Sequence, residues 1–293
     1  MTALRPLAAM LALLALASLA EPRAHAQAAF GAQGAEAASG RAQDWLVPSG
    51  DPMTPSRAIL FRPPGKGPFR LAIIAHASTE NPIARAMAPP PHYPALSAWL
   101  VARDFAVLVA ERPGHGKTGG RYRESQGGCD DADYVRAARA TAASIDAALG
   151  FMRTQSFIRN DGAVIVGHSA GGLGALALAA RNPRGVAATI VFSPGRGGHA
   201  GDRPFEVCAE DRLVATMAEF GKTARIPMTW IVARNDSYFS LDLSQRMADA
   251  FRTAGGKADF QLLPAFGDEG HWLAEKATAQ LLDAILARVP ELR

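Results

Sequence analysis

The sequence is poor in the features that mark several functional classes. It holds two cysteines in 293 residues, Cys129 and Cys208, too far apart for the paired spacing of a metal knuckle. Its seven histidines do not cluster with carboxylates, so neither a metal nor another cofactor is expected. Charged residues make up 20% of the chain and leave a formal net charge of only +4. Lys and Arg are scattered without interleaved aromatics, which argues against a nucleic-acid surface. No repeat recurs at periods of about 20 to 50 residues. Only one long apolar run exists, Leu7 to Ala20, and it is shorter than the roughly 20 residues that span a bilayer.

That run has another reading. Arg5 precedes it and Ala24-His25-Ala26 follows, a small-x-small site. Residues 1–26 therefore read as a secretory signal peptide, with the mature chain starting at Gln27 and located in the periplasm or secreted. No stable membrane span is expected after cleavage; an uncleaved anchor is the alternative. Loss of Arg5, Glu21 and Arg23 takes the formal charge from +4 to +3 (+4 − 2 + 1). In an exported chain an even cysteine count implies a Cys129–Cys208 disulfide between two loops. Residues 27–43, rich in Ala, Gly and Gln, read as a flexible leader, and residues 44–293 as one domain.

Two short strands are expected at 44–48 and 57–61, joined closely enough to pair antiparallel. From residue 71 onward, strands expected at 71–76, 105–110, 163–166, 186–192, 228–233 and 260–263 alternate with helical patterns, the clearest at 133–153. Uninterrupted apolar runs suit strands buried on both faces. The expectation is an α/β fold: a mostly parallel eight-stranded sheet with helices on both faces. A single amphipathic helix over 272–289 closes it, and the Gly-rich stretch from Ser193 leaves room for a small cap at most.

Gly167-His168-Ser169-Ala170-Gly171 lies between a buried strand and a small-residue helix. Gly-x-Ser-x-Gly in that context fits a nucleophile elbow, which lifts the serine on a strained turn above a helix amino terminus. A serine nucleophile needs a base, and the base an orienting acid, in the chain order Ser, acid, His. Of the histidines after Ser169, His199 leaves no strand before it to supply the acid. His271, after the last strand, is the expected base. Asp236, directly after the strand at 228–233, is the expected acid; Asp242 is the fallback, although helix capping accounts for it. The oxyanion N–H groups are expected from Ala170 and from Ser78 or Ala77. Gly114-His115-Gly116-Lys117-Thr118-Gly119 matches a dinucleotide fingerprint only formally, because loop rather than helix follows.

Together, the Gly167–Gly171 elbow, Asp236 and His271 resemble the α/β-hydrolase superfamily over residues 44–290. The nearest likeness is to exported bacterial dienelactone-hydrolase-like and lipase-like proteins. This resemblance implies an α/β-hydrolase fold and a serine esterase working through an acyl-enzyme on a small-molecule ester. Ser169 stands where dienelactone hydrolases carry cysteine, and His76-Ala77 where many relatives carry His-Gly. Tyr238, Phe239, Trp272 and Tyr93, with His92, are candidates to line an acyl pocket. The competing readings are a prolyl-oligopeptidase-like peptidase or amidase, and a non-catalytic exported binding protein. Nothing in the sequence sets an oligomeric state.

Overall fold

The computed structural model describes residues 29–38 and 41–292. The expected signal peptide, residues 1–26, and its cleavage point lie outside the described residues. Along the chain come β1 (Gly31–Ala32), β2 (Gln43–Val47), β3 (Ser56–Phe61) and β4 (Arg70–Ala75). Helices α1 (Pro82–Ala86) and α2 (Pro94–Val101) precede β5 (Phe105–Ala110) and α3 (Tyr134–Met152). Then follow β6 (Ala163–His168), α4 (Ala170–Ala179), β7 (Val186–Phe192) and α5 (Glu210–Gly221). The chain closes with β8 (Met228–Ala233), α6 (Leu241–Thr253), β9 (Ala258–Leu263), α7 (Leu273–Lys276) and α8 (Ala279–Leu286).

Among the described residues one sheet of nine strands runs in the order β1-β2-β3-β5-β4-β6-β7-β8-β9. Six strands, from β5 across to β9, are mutually parallel, and β1, β2 and β3 form an antiparallel edge. Alternating side chains of each central strand enter two separate cores, because successive Cβ atoms point to opposite faces. Leu71, Ile73 and Ala75 of β4 belong to the core that α3, α4, α5 and α6 share, while Ala72 and Ile74 belong to the core that α2, α7 and α8 share. Full burial of each Leu, Ile or Phe contributes about 1.5–3 kcal/mol before entropy is counted.

Three departures from the sequence reading have local causes. The sheet has nine strands rather than eight, because Gly31–Ala32, inside the stretch read as a flexible leader, pairs antiparallel with Trp45 and Leu46 of β2. Glu36 pairs with Arg41 within that stretch at 3.0 Å and ties it to the end of β3 through Arg62 at 2.7 Å. The single helix expected over 272–289 is broken. Ala277 is extended, with ψ 143°, and the Thr278 side chain caps α8 by accepting from Leu281 N. Helix α1 is an addition, started by Asn81, whose side chain accepts from Ile83 N and Ala84 N, and by Pro82 in its first turn.

Among the described residues no helix is long and apolar enough to cross a membrane. Cys129 and Cys208 form the expected disulfide, with Cα atoms 4.6 Å apart.

Candidate active site

The parallel register brings the carboxyl ends of β4, β6, β8 and β9 to one side of the sheet. Ala75 at the end of β4 lies beside Gly167 of β6, and Ala233 of β8 beside Leu263 of β9. The loops that follow these strands carry the residues singled out above, as expected of ligand sites in open α/β sheets.

Ser169 sits between β6 and α4 with φ 52° and ψ −118°, a conformation that non-glycine residues adopt rarely and at a cost of about 1–3 kcal/mol. The turn is held by backbone bonds: Ser169 N donates to Phe192 O at 3.0 Å, and its carbonyl accepts from Leu173 N at 2.9 Å and Gly195 N at 3.1 Å. Both elbow glycines are sterically required. A Cβ on Gly167 would come within 2.6 Å of Gly171 O, and one on Gly171 would run into the carbonyls of Ala75 and His76.

His271 lies in a short 3-10 turn, Gly270–Trp272, after β9. Its Nδ1 is 3.1 Å from Asp236 Oδ2 and 3.2 Å from Oδ1. Both side chains are 1% exposed. Asp236 Oδ1 also accepts from Tyr238 N at 2.8 Å and Phe239 N at 3.1 Å. Burial pushes the Asp236 carboxyl up, but His271 and the donors around it outweigh that and hold it below its ordinary value. Burial pulls the His271 imidazole below its ordinary value against the opposing effect of Asp236. Asp242, the fallback acid, lies in the first turn of α6 with 83% of its side chain exposed, in an ion pair with Arg246.

The backbone of His271 is fixed at both ends. Glu269 Oε1 accepts from His271 N at 2.9 Å and from Ser237 N at 3.1 Å. His168 Nε2 donates to His271 O at 2.8 Å. The imidazole is covered by Tyr238, stacked at 4.1 Å between ring centroids, and Tyr238 in turn is stacked on His199 at 3.7 Å. Sequence reasoning set His199 aside as a base. Its Nε2 lies 2.8 Å from Ser237 Oγ, so it braces the same loop.

A cleft of about 1070 Å³ opens at this end of the sheet, and Ser169, His271, Ala77 and Ser78 all line it. So do the four pocket candidates Tyr93, Tyr238, Phe239 and Trp272, with His92. They differ in kind: Tyr93 and Phe239 are 3% and 1% exposed and reach the cleft from the core, whereas Tyr238 and Trp272 are half-buried on its wall. The disulfide borders the cleft as well. Ala170 N belongs to the first turn of α4, whose N–H groups have no partner within the helix. The Ala77 N–H donates to Tyr93 Oη at 3.2 Å. The Ser78 hydroxyl is held by His115 Nε2 at 2.7 Å. His76 serves the backbone, its Nε2 accepting from Arg112 N at 3.1 Å. Among the described residues no group of three or more His, Cys, Asp or Glu side chains is placed to hold a metal ion.

One feature near the site has no counterpart in the sequence reading. Arg112 Nε donates to Glu124 Oε1 at 2.6 Å, and Arg196 Nη2 donates to Glu124 Oε2 at 3.0 Å. Arg196 Nη1 also reaches Glu80 Oε1 at 2.9 Å. Burial would raise the Glu124 carboxyl, yet Arg112, His115 and Arg196 outweigh it and hold it far below its ordinary value. The network fixes the loop after β7 whose Gly195 N–H binds Ser169 O.

The arrangement matches known proteins at the level of family and fold. A family model described as serine aminopeptidase, S33, matches residues 91–237, which is 147 of the 293 positions (237 − 91 + 1). No curated protein matches the chain. Among solved structures, a cold-adapted esterase from an Arctic intertidal metagenomic library superposes with a TM-score of 0.56 at 16% identity, covering 87% of this chain and 99% of its own. An esterase of Pyrococcus furiosus gives 0.56 at 14% identity over 86% of this chain and 91% of its own. A Klebsiella pneumoniae protein assigned as a dienelactone hydrolase gives 0.57 at 16% identity over 84% and 98%. At such identities the structures speak for the fold, and the family match for the class. With its elbow, its strand order and half its length within the family model, this chain belongs to the serine aminopeptidase S33 family of the α/β-hydrolase superfamily.

Proposed function

We propose that this hydrolase cleaves carboxylic esters of small molecules through a Ser169 acyl-enzyme. The observation that carries the reading is the His271 Nδ1–Asp236 contact at 3.1 Å opening into the same cleft as Ser169. With Nδ1–H committed to Asp236, the other ring nitrogen, Nε2, is the one that takes the Ser169 hydroxyl proton. Ser169 Oγ attacks the ester carbonyl, and the oxyanion is held by Ala170 N–H and Ser78 N–H. Ser78 is preferred over Ala77 because the Ala77 N–H already has an acceptor in Tyr93. Collapse expels the alkoxide, which takes the proton from His271. A water then gives its proton to His271, attacks the acyl carbon and releases the acid and Ser169.

The family description raises peptide amides as the second reading. Recognition of a free amino terminus calls for an unpaired carboxylate in the cleft. Among the described residues four carboxylates line the cleft. Glu80 is held by Arg196 at 2.9 Å, Glu275 lies 3.5 Å from His168, and Glu111 Oε2 accepts from Thr118 N at 2.6 Å, whereas Asp202 is exposed, so substrate turnover decides between the two readings. A panel of 4-nitrophenyl acyl esters and aminoacyl 4-nitroanilides separates the two. Ester turnover with Ser169 labelled by a fluorophosphonate is expected; faster anilide turnover overturns the ester reading, and absence of labelling overturns catalysis by Ser169. Across pH, kcat/KM should rise with a midpoint below 6.5, because only neutral imidazole accepts the proton and burial favours that form.

We further propose export, supported by the Cys129–Cys208 disulfide, since such bonds persist in oxidising compartments. The intact mass of the exported protein should correspond to a chain beginning at Gln27; a chain retaining residues 1–26 would refute cleavage.

A further inference from the structure

Three loops must keep their relative positions for the chemistry proposed above: the loop after β4, the elbow, and the loop carrying His271. One line of hydrogen bonds joins all three. Ala77 N donates to Tyr93 Oη at 3.2 Å. Tyr93 Oη lies 3.1 Å from His168 Nδ1. His168 Nε2 lies 2.8 Å from His271 O. The two ends have a fixed direction: the His271 carbonyl accepts from His168 Nε2–H, and the Tyr93 hydroxyl oxygen accepts from Ala77 N–H. Between them, His168 Nδ1 faces both the Tyr93 hydroxyl at 3.1 Å and Glu275 Oε1 at 3.5 Å.

Two further observations set Tyr93 apart from a packing residue. It is 3% exposed, and a buried hydroxyl costs stability unless bonded. Its backbone is left-handed, with φ 47° and ψ 57°, a conformation that bulky residues rarely adopt and that accumulates at functional sites. The left-handed turn lies directly before Pro94, at the start of α2. Glu275 Oε1, 3.5 Å from His168 Nδ1, closes the outer side of the line.

We propose that Tyr93 and His168 are positioning residues, forming a strut from Ala77 N–H to the His271 carbonyl that holds the oxyanion loop, the nucleophile elbow and the base loop in register. The inference rests on the reading of Ser169, Asp236 and His271 as the reacting groups. It assigns a task to the residue preceding the nucleophile, whose side chain touches no substrate in that mechanism. It also implies that the Ala77 N–H is a structural donor.

The test uses Tyr93→Phe, which removes one hydroxyl and keeps the ring, and His168→Ala beside His168→Gln, whose amide N–H can still reach the His271 carbonyl. Rates are taken per fluorophosphonate-titrated site with 4-nitrophenyl acetate, so that misfolded protein is not counted. Tyr93→Phe should lower kcat on the order of 10-fold to 100-fold with KM changed less than about 3-fold, the scale expected when reacting groups shift by a fraction of an ångström to 1 Å. His168→Gln should recover at least about a third of the activity that His168→Ala loses. The Tyr93→Phe/His168→Ala double variant should be no slower than the slower single variant, as for residues acting as a unit. Multiplicative losses in the double variant, or Tyr93→Phe within about 2-fold of the parent, would overturn the strut. Should Tyr93→Phe yield no folded protein, the His168 pair decides alone: equal rates for Gln and Ala overturn it. Failure of the triad reading is distinct, because it appears as full activity in Ser169→Ala.

Discussion

Ser169→Ala is expected to lower kcat/KM for 4-nitrophenyl esters by on the order of 10⁴–10⁶-fold while the fold persists. The three backbone bonds that build the elbow, to Phe192, Leu173 and Gly195, involve no side-chain atom and survive the change. Only the nucleophile is lost, and the residual rate is that of a cleft with oxyanion donors and no covalent route, about 10³–10⁴ over water in serine hydrolases generally. Asp236→Asn gives the sharper comparison. The amide keeps the shape but presents an N–H to His271 Nδ1, which stabilises the wrong tautomer, and a loss of about 10⁴-fold is expected. Asn also retains an oxygen for the Tyr238 and Phe239 N–H groups, so unfolding should not account for it. Burst kinetics and thermal melts on the same samples check both variants. A Ser169→Ala enzyme within about 10-fold of the parent would place the chemistry elsewhere in the cleft.

The elbow and its partners were legible because each leaves a local trace. Gly167 and Gly171 are where a side chain collides with neighbouring backbone, and that requirement is written at a fixed spacing around Ser169. Five of the six parallel strands show as apolar runs because both faces of each enter a core, whereas the edge strand β9 carries Asp259 and Gln261 and is only partly buried. What stayed hidden was either too short or too dispersed. Gly31–Ala32 is two residues, which cannot display a period. Helix α1 is five residues long, little more than one turn. The break between α7 and α8 is set by one threonine cap inside a stretch whose apolar residues still suit a continuous helix. Tyr93 was legible as a candidate pocket aromatic, but its partner His168 lies 75 positions away. No local pattern links them. The same holds for Glu124, whose arginine partners lie 12 positions before it and 72 after it.

That glutamate carries the second large expected effect, on stability. Glu124 is 4% exposed in its side chain and sits between Arg112 and Arg196, exposed 2% and 3%. Removing Glu124 leaves the buried Arg112 guanidinium without a carboxylate and Arg196 with Glu80 alone, in a medium of low dielectric. Glu124→Ala is therefore expected to cost about 3–5 kcal/mol, several times a typical surface change. The effect has a defined pH dependence. Its folded carboxyl is held below the ordinary value of 4.5, so its contribution is fully present above that value and is lost as pH falls below it. Urea unfolding at pH 7 should show the full deficit of Glu124→Ala. The gap to the parent should narrow progressively below pH 4.5, where the parent pays to keep or protonate the same group. A deficit under about 1 kcal/mol at pH 7, or one that widens in acid, would mean that solvent already shields the two guanidinium groups. The loss should reach catalysis as well, because Arg196 adjoins Gly195, whose N–H holds the Ser169 carbonyl at 3.1 Å. Near the unfolding midpoint, ester turnover of the variant should fall before its global fold does, as the loop after β7 loosens first.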